Sequence, residues 1–492
     1  MKTSKFFAVA SFVLALFPLS LRAQDLASSD TLMKHVRYLS SSQCEGRLAG
    51  TDGYIRAAEY VVNTLASYGA KPYKDEWLQL FEIETNQVEN CTFNTYVNSN
   101  DARTLYVLGK DFVCAGMTGR GYADANVVFC GYGIDDKSYN EYKQVDAQGK
   151  IVLVLSGTPN HLPSNIAKKY VSLRDKARAA QRHGAVALVT INLSQTCRPD
   201  EVQSRVYCGE EPHLPTFPIL FTTRQLGETL LQDERYTLDS VMNLLQSDMN
   251  PHSFHLLKKF EINVNAQYHP KGLTANIMGV IEGNDPTLKR EYIVVGAHLD
   301  HVGMQGNTCL FPGADDNASG VAAVLETARL LSNTPGGVKR SVLFVFFSGA
   351  ESQHLGSRIF VSNFDKLENV EAFLNAECVG NGDSIAVLGN QRFPDLWASA
   401  HRADSAVTNF MVHGYKTVPN GDAAAFYAVG IPSLVFTNFN GNRYAHVPSD
   451  IPENIDRNML EKSATLIYHT LLELGVGDYQ GRSIRSRRFR FE

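Results

Sequence analysis

Neither sign of charge dominates this chain. Its 492 residues carry 46 Lys and Arg against 51 Asp and Glu, a formal net charge of -5. Nothing in that balance calls for a nucleic-acid partner. Beyond residue 21 no apolar stretch approaches the roughly 20 residues that a bilayer span needs. No cysteine directly follows the first apolar run, which argues against a lipid anchor there. The eight cysteines lack the spacing of a zinc finger, and no internal repeat is visible. What remains is an ordinary globular composition in a chain long enough for two or three domains and a large core.

The first residues read as a secretory signal. Lys2 and Lys5 give a positive start, and Phe6 to Leu21 is apolar but for Ser11, Pro18 and Ser20. Leu21-Arg22-Ala23 fits a cleavage site that leaves Gln24 as the new terminus. The competing reading is a membrane anchor. The run is short for one, so an exported protein, periplasmic or secreted, without a remaining span is expected. Cysteines would then meet an oxidising space. Cys197 and Cys208, close together among turn-like residues, suit a disulfide; Cys130 and Cys378, in apolar runs, suit buried thiols.

Residues 30–70 have helical periodicity, with Ala57, Ala58, Tyr60, Val61, Leu65 and Tyr68 recurring on one face. From about 105 to 265 short β-rich runs (TLYVL, NVVFCGYG, KIVLVLSG, AVALVTI) surround a helix at Leu173 to His183, and the block reads as an inserted domain. The flanking stretches, 24–104 and 266–476, make one discontinuous domain. Its second part alternates apolar runs, YIVVGA (292–297), VLFVFF (342–347), AFLNA (372–376), IAVLG (385–389) and SLVF (433–436), with amphipathic helices at Ala318 to Leu331 and Met459 to Leu474. That rhythm predicts an α/β fold: a mixed, mostly parallel sheet with helices on both faces, plus the inserted β-rich domain. The arginine-rich residues 477–492 form a basic tail.

His298, Glu351 and Glu377 each come after an apolar strand-like run, and sites in open α/β sheets gather at the carboxyl ends of strands. Asp315 in GADDNASG and His446 in HVPSD add two more donors. Singly, each reads as a capping Asp or a satisfied His. Together they suit Zn²⁺, and one bridging carboxylate can hold two ions about 3.5–4 Å apart. Asp300, two residues from His298, is placed to orient its imidazole.

At this point a family resemblance is evident. CEGRLAGTDGYIRAAEYV (44–61), VVFCGYGI, VDAQGKIVLVL, GAHLDHVG, GADDNASGVAA, HLGS, GDAAAFYAVGIPSLVF and HVPSD occur in one order. The chain resembles the two-zinc exopeptidases of metallopeptidase family twenty-eight, leucyl aminopeptidases among them, over nearly all of its mature length, with a protease-associated domain inserted early. The resemblance implies a zinc aminopeptidase-like fold and two Zn²⁺ ions. It makes Asp315 the bridge, with His298 and Glu377 completing one site and Glu351 and His446 the other. Glu377 departs from the family's usual Asp by one methylene.

The graver departure is Ala350. The family pattern is roughly EExGLxGS, its first Glu a general base and its second a ligand. Anchoring on Gly356-Ser357 puts Ala350 at the base and Glu351 at the ligand. Loss of a general base typically costs about 10²- to 10⁴-fold in rate. Two substitutes are open: His354 as the base, or Glu351 as the base of a one-zinc enzyme. Asp422 takes the place of the Asp in a family segment reading S-D-H, here flanked by Gly421 and Ala423. The functional expectation is an exported zinc aminopeptidase acting on peptides, impaired at Ala350. The alternatives are a catalytically silent metal-binding relative that binds peptides or protein partners, and acyl-transfer chemistry on amino termini. Oligomeric state is not legible.

Overall fold

The computed structural model describes residues 26–98, 102–193, 201–203, 213–247, 250–414, 417–441, 443–476, 479 and 481. The expected signal segment, the Cys197–Cys208 pair and most of the basic tail lie outside these residues. None of the described helices is long and apolar enough to cross a membrane.

The apolar runs form strands where the sequence places them: Tyr292–His298, Ser341–Phe347, Val370–Glu377 and Ser433–Phe439. These four are mutually parallel, in the order 433–439, 370–377, 292–298, 341–347. Their side chains alternate between two cores, as period two requires. Ile293, Val295, Phe344, Phe346 and Leu374 join the helices Ser29–Leu39, Asp52–Ser67, Gly320–Ser332, Pro394–Val407 and Arg457–Gly475 on one face. Val294, Val345, Phe347 and Phe373 meet Phe360 and Phe426, from the helices Leu355–Asn363 and Ala423–Ala428, on the other. Phe373 and Phe426 stack with ring centroids 4.1 Å apart. The sheet is thus mixed, mostly parallel and covered on both faces.

One expectation changes in detail. IAVLG, read as a buried parallel strand, is Ser384–Leu388, an edge strand antiparallel to Ser433–Phe439 whose residues alternate between buried and half-buried. A short apolar run does not itself distinguish an edge from a centre. The helical periodicity of residues 30–70 falls in two helices, Ser29–Leu39 and Asp52–Ser67. The turn between them places Glu45, Gly46 and Arg47 at φ of 48°, 66° and 51°, values no helix holds.

The inserted β-rich unit joins this sheet through two long strands, Leu78–Tyr96 and Phe254–Ile281, paired antiparallel. The second runs through the 265/266 boundary without a break. Beyond it, Gly121–Phe129, Ile151–Leu155, Ala187–Ile191 and Ile219–Thr222 form a second parallel set with its own core. Cys130 is a buried free thiol in that core and Cys378 is another beside the candidate site. Cys309 is likewise buried and free.

Candidate metal centre

The carboxyl edge of the four parallel strands gathers two groups of potential ligands. His298 ends the strand Tyr292–His298, and Glu377 ends the neighbouring Val370–Glu377. His298 Nε2 lies 3.1 Å from Glu377 Oε1 and 3.5 Å from Asp316 Oδ1. Glu351 sits four residues past the end of Ser341–Phe347, in the turn before Leu355–Asn363. His446 Nε2 lies 2.9 Å from Glu351 Oε2 and 3.3 Å from Asp316 Oδ2. The donor atoms within each group fall within 4.8 Å of one another. One carboxylate therefore serves both groups, with one oxygen toward each.

That carboxylate belongs to Asp316, and the expectation that Asp315 bridges is corrected accordingly. Asp315 faces away. Its Oδ1 accepts from Gly380 N at 2.8 Å and Ser319 Oγ at 3.2 Å, and its Oδ2 accepts from Asn438 Nδ2 at 3.3 Å. The choice is made by Asp450, whose two oxygens accept from Asp315 N and Asp316 N. Asn317 locks the next step: its side chain accepts from Gly320 N and Cys378 N and donates to Ala376 O. The sequence signal for Asp316 was the doubled aspartate itself, which leaves two equivalent candidates until the backbone is known.

His301 was also missed, although it stands in the same GAHLDHVG run. Its Nδ1 lies 3.4 Å from Glu351 Oε1 and 3.9 Å from Asp316 Oδ2. The residue is fully buried, and neither ring nitrogen has a hydrogen-bond partner. Such an orphaned pair is costly without a partner.

Asp300 acts on both sides of the site. Its backbone carbonyl lies 3.0 Å from His298 Nδ1, whereas its carboxylate stands 4.0 Å from that nitrogen. The carboxylate instead accepts from Ala350 N at 3.1 Å and Glu351 N at 3.3 Å. So the expected orientation of His298 is by the main chain, and the Asp300 side chain holds the Ala350-Glu351 turn. Ala350 lines the cleft with a methyl group, next to Glu351.

Arg47, from the GRLAG segment, is completely buried beneath the site. Its guanidinium donates to four carbonyls: Leu39, Leu299, Pro312 and Gly313. It ties the N-terminal turn to the loops that carry His298 and Asp316.

Six buried or half-buried carboxylates crowd this region: Asp300, Asp315, Asp316, Glu351, Glu377 and Asp450. Burial raises Asp300 to about 7 and Asp315 to about 6, and pushes Asp450 well above its ordinary value. Burial opposes charge on His298 and His446 too. The carboxylates of Glu377, Glu351 and Asp316 outweigh it and hold both imidazoles well above their ordinary value. A histidine–carboxylate donor set with excess negative charge and an orphaned imidazole fits divalent metal ions of the Zn²⁺ type.

The groups open into a cleft of about 630 Å³ whose wall includes His354, Leu388, Asn420, Val435 and Asn440. His354 Nδ1 lies 3.6 Å from Asp422 Oδ1. Burial lowers the His354 imidazole, but Asp422 and Glu377 override it and leave it above its ordinary value.

The fold, an α/β sheet with helices on both faces, is shared with solved aminopeptidases. The structure aligns with the zinc aminopeptidase BSAP from Bacillus subtilis at a TM-score of 0.65 and 19% identity, over 92% of this chain and 96% of that one. It aligns with the aminopeptidase from Aneurinibacillus sp. strain AM-1 at 0.63 and 18%, over 94% and 97%. Residues 276–471 match the model of peptidase family M28, and residues 118–230, within the inserted unit, match the PA domain. A curated relative is the probable lipoprotein aminopeptidase LpqL of Mycobacterium tuberculosis, 28% identical over 399 residues. The match takes in 79% of this chain and 65% of that protein, just under two thirds of its length.

Proposed function

We propose that this chain is an exported zinc-dependent aminopeptidase that hydrolyses the N-terminal bond of peptides at a two-ion site. His298, Asp316 and Glu377 would hold one ion; Asp316, Glu351 and His446 would hold the other, with His301 as an additional donor on that side. The observation that carries this reading is Asp316, whose Oδ1 lies 3.5 Å from His298 Nε2 and Oδ2 3.3 Å from His446 Nε2. When bound, the ions polarise the scissile carbonyl and lower the pKa of water toward about 7. The chain's own residues do the rest. Asp300 and Asp450 fix the ligand-bearing turns through backbone amides, and Asn420, Asn438 and Asn440 line the cleft wall.

Ala350 supports a second reading, a metal-binding relative without turnover, because a methyl group neither takes nor gives a proton. Both are tested together by metal analysis of purified protein and by assay on a panel of aminoacyl amides and N-acylated controls. One or two zinc ions per chain with hydrolysis of free-amine substrates supports the peptidase. Zinc without hydrolysis supports the silent relative, and no bound metal overturns both.

A further inference from the structure

We infer that His354, held by Asp422, is the proton-transferring residue of this active site, in place of a glutamate at position 350. The inference rests on the peptidase reading and deepens it.

Asp422 is a carboxylate with no exposed surface and no hydrogen-bond donor on either oxygen. It precedes the six-residue helix Ala423–Ala428 but caps none of its amides with its side chain. Among the described residues its charged neighbour is His354, whose Nδ1, itself buried and unpartnered, lies 3.6 Å away. A buried carboxylate is costly unless something pairs with it, and this one has the imidazole.

His354 in turn is set toward the cleft. Gln353 and His354 both stand in the left-handed region, at φ of 61° and 54°, and End the turn from Glu351 at the start of Leu355–Asn363. The His354 side chain is 40% exposed and lines the same cleft as Glu351, Glu377 and Ala350. Gly421 marks how near it comes to the ligands. A Cβ at Gly421 would lie 3.9 Å from His354 Cε1 and 3.8 Å from Glu377 Oε2, so the imidazole and Glu377 border the same point of the cleft wall.

With its proton on Nδ1, the nitrogen that faces Asp422 at 3.6 Å, His354 keeps the lone pair of Nε2 for use as a base. His354 Nε2 takes a proton from the attacking water as its oxygen bonds to the scissile carbonyl carbon. The imidazolium then gives that proton to the amine nitrogen as the C–N bond breaks. No net proton remains on the enzyme and no electrons change hands.

The test compares the natural chain with His354→Gln, Asp422→Asn and the double variant, with metal content measured on each. Substrates are an aminoacyl alkylamide, whose leaving amine needs a proton, and an aminoacyl 4-nitroanilide, whose leaving group needs it less. Removing the base is expected to lower kcat on the alkylamide by about 10²- to 10⁴-fold. The nitroanilide should lose less, and KM and bound metal should change little. Added imidazole should restore part of the loss. Asp422→Asn should lower kcat to a smaller degree, and the double variant should fall no further than His354→Gln alone. Unchanged kcat in His354→Gln overturns the inference and leaves the peptidase reading intact, as does a loss of kcat that tracks lost metal. A natural chain that holds zinc and cleaves neither substrate overturns both.

Discussion

Asp450 binds the backbone amides of two consecutive aspartates, Asp315 N at 2.8 Å on one oxygen and Asp316 N at 3.0 Å on the other. This grip decides which aspartate faces the histidines. With both amides drawn to one carboxylate, the Asp315 side chain turns into the protein toward Gly380 and Ser319. Asp316 turns out between His298 and His446.

Neutralising the two aspartates should therefore have opposite signatures. Asp316→Ala removes an oxygen from each ligand group and is expected to leave less than one zinc per chain by mass-spectrometric metal analysis. Asp315→Ala leaves both groups their donors but strands Gly380 N in the interior. It is expected to keep most of its zinc and lose about 1–3 kcal/mol of stability in denaturant unfolding. Equal metal loss in the two variants would contradict the assignment of the bridge.

Restoring the acid at position 350 gives a conditional outcome. Asp300 holds the amides of Ala350 and Glu351, so a side chain at 350 projects from a fixed turn into the cleft. If His354 already moves the proton, Ala350→Glu should raise kcat of the natural chain by less than about tenfold. The same change should recover much of the 10²- to 10⁴-fold loss in His354→Gln. Steady-state kinetics on the four chains of this cycle decide it. A large gain in the natural chain alone would mean that no residue now fills the role.

The buried Arg47 is a structural prediction. Four main-chain carbonyls from three separate segments depend on its guanidinium. Arg47→Met fills similar space but leaves those acceptors without donors. The expected loss is a few kcal/mol in chemical unfolding, at about 1–3 kcal/mol for each buried acceptor that stays unsatisfied. Arg47→Lys should recover little of it, because a single ammonium cannot reproduce the planar fork.

How far these features were legible in the sequence follows from their physics. The four parallel strands announced themselves as continuous apolar runs, because both faces of each are covered. The edge strand Ser384–Leu388 looked the same on the page, since its neighbours and not its composition set its direction. His298, Glu351, Glu377 and His446 are picked out by their places after strands and in the motif order, and the structure places them in the two groups of potential ligands. The doubled aspartate could not be resolved locally: the residue that chooses between Asp315 and Asp316 lies 135 positions from the first and 134 from the second. Arg47 was visible only as part of a motif, because its partners are carbonyls, which carry no sequence signature.

Acid sensitivity should arise partly far from the cleft, at His35. The ring is buried between Tyr60 and Tyr68, with Nδ1 2.8 Å from Tyr60 Oη and Nε2 3.3 Å from Tyr68 Oη. Burial, aided by the charges of Lys34 and Arg329, lowers its pKa from 6.5 to about 4. The folded state thus binds fewer protons than the unfolded one across that window. Its contribution is fully present above 6.5 and is lost progressively as pH falls toward 4. At about 1.4 kcal/mol per unit, the total comes to about 3 kcal/mol. His35→Phe cannot titrate, so its stability should fall less steeply than that of the natural chain between pH 7 and 4.5. Urea unfolding of both chains across that range measures the difference directly, and parallel curves would show that His35 is not the group responsible.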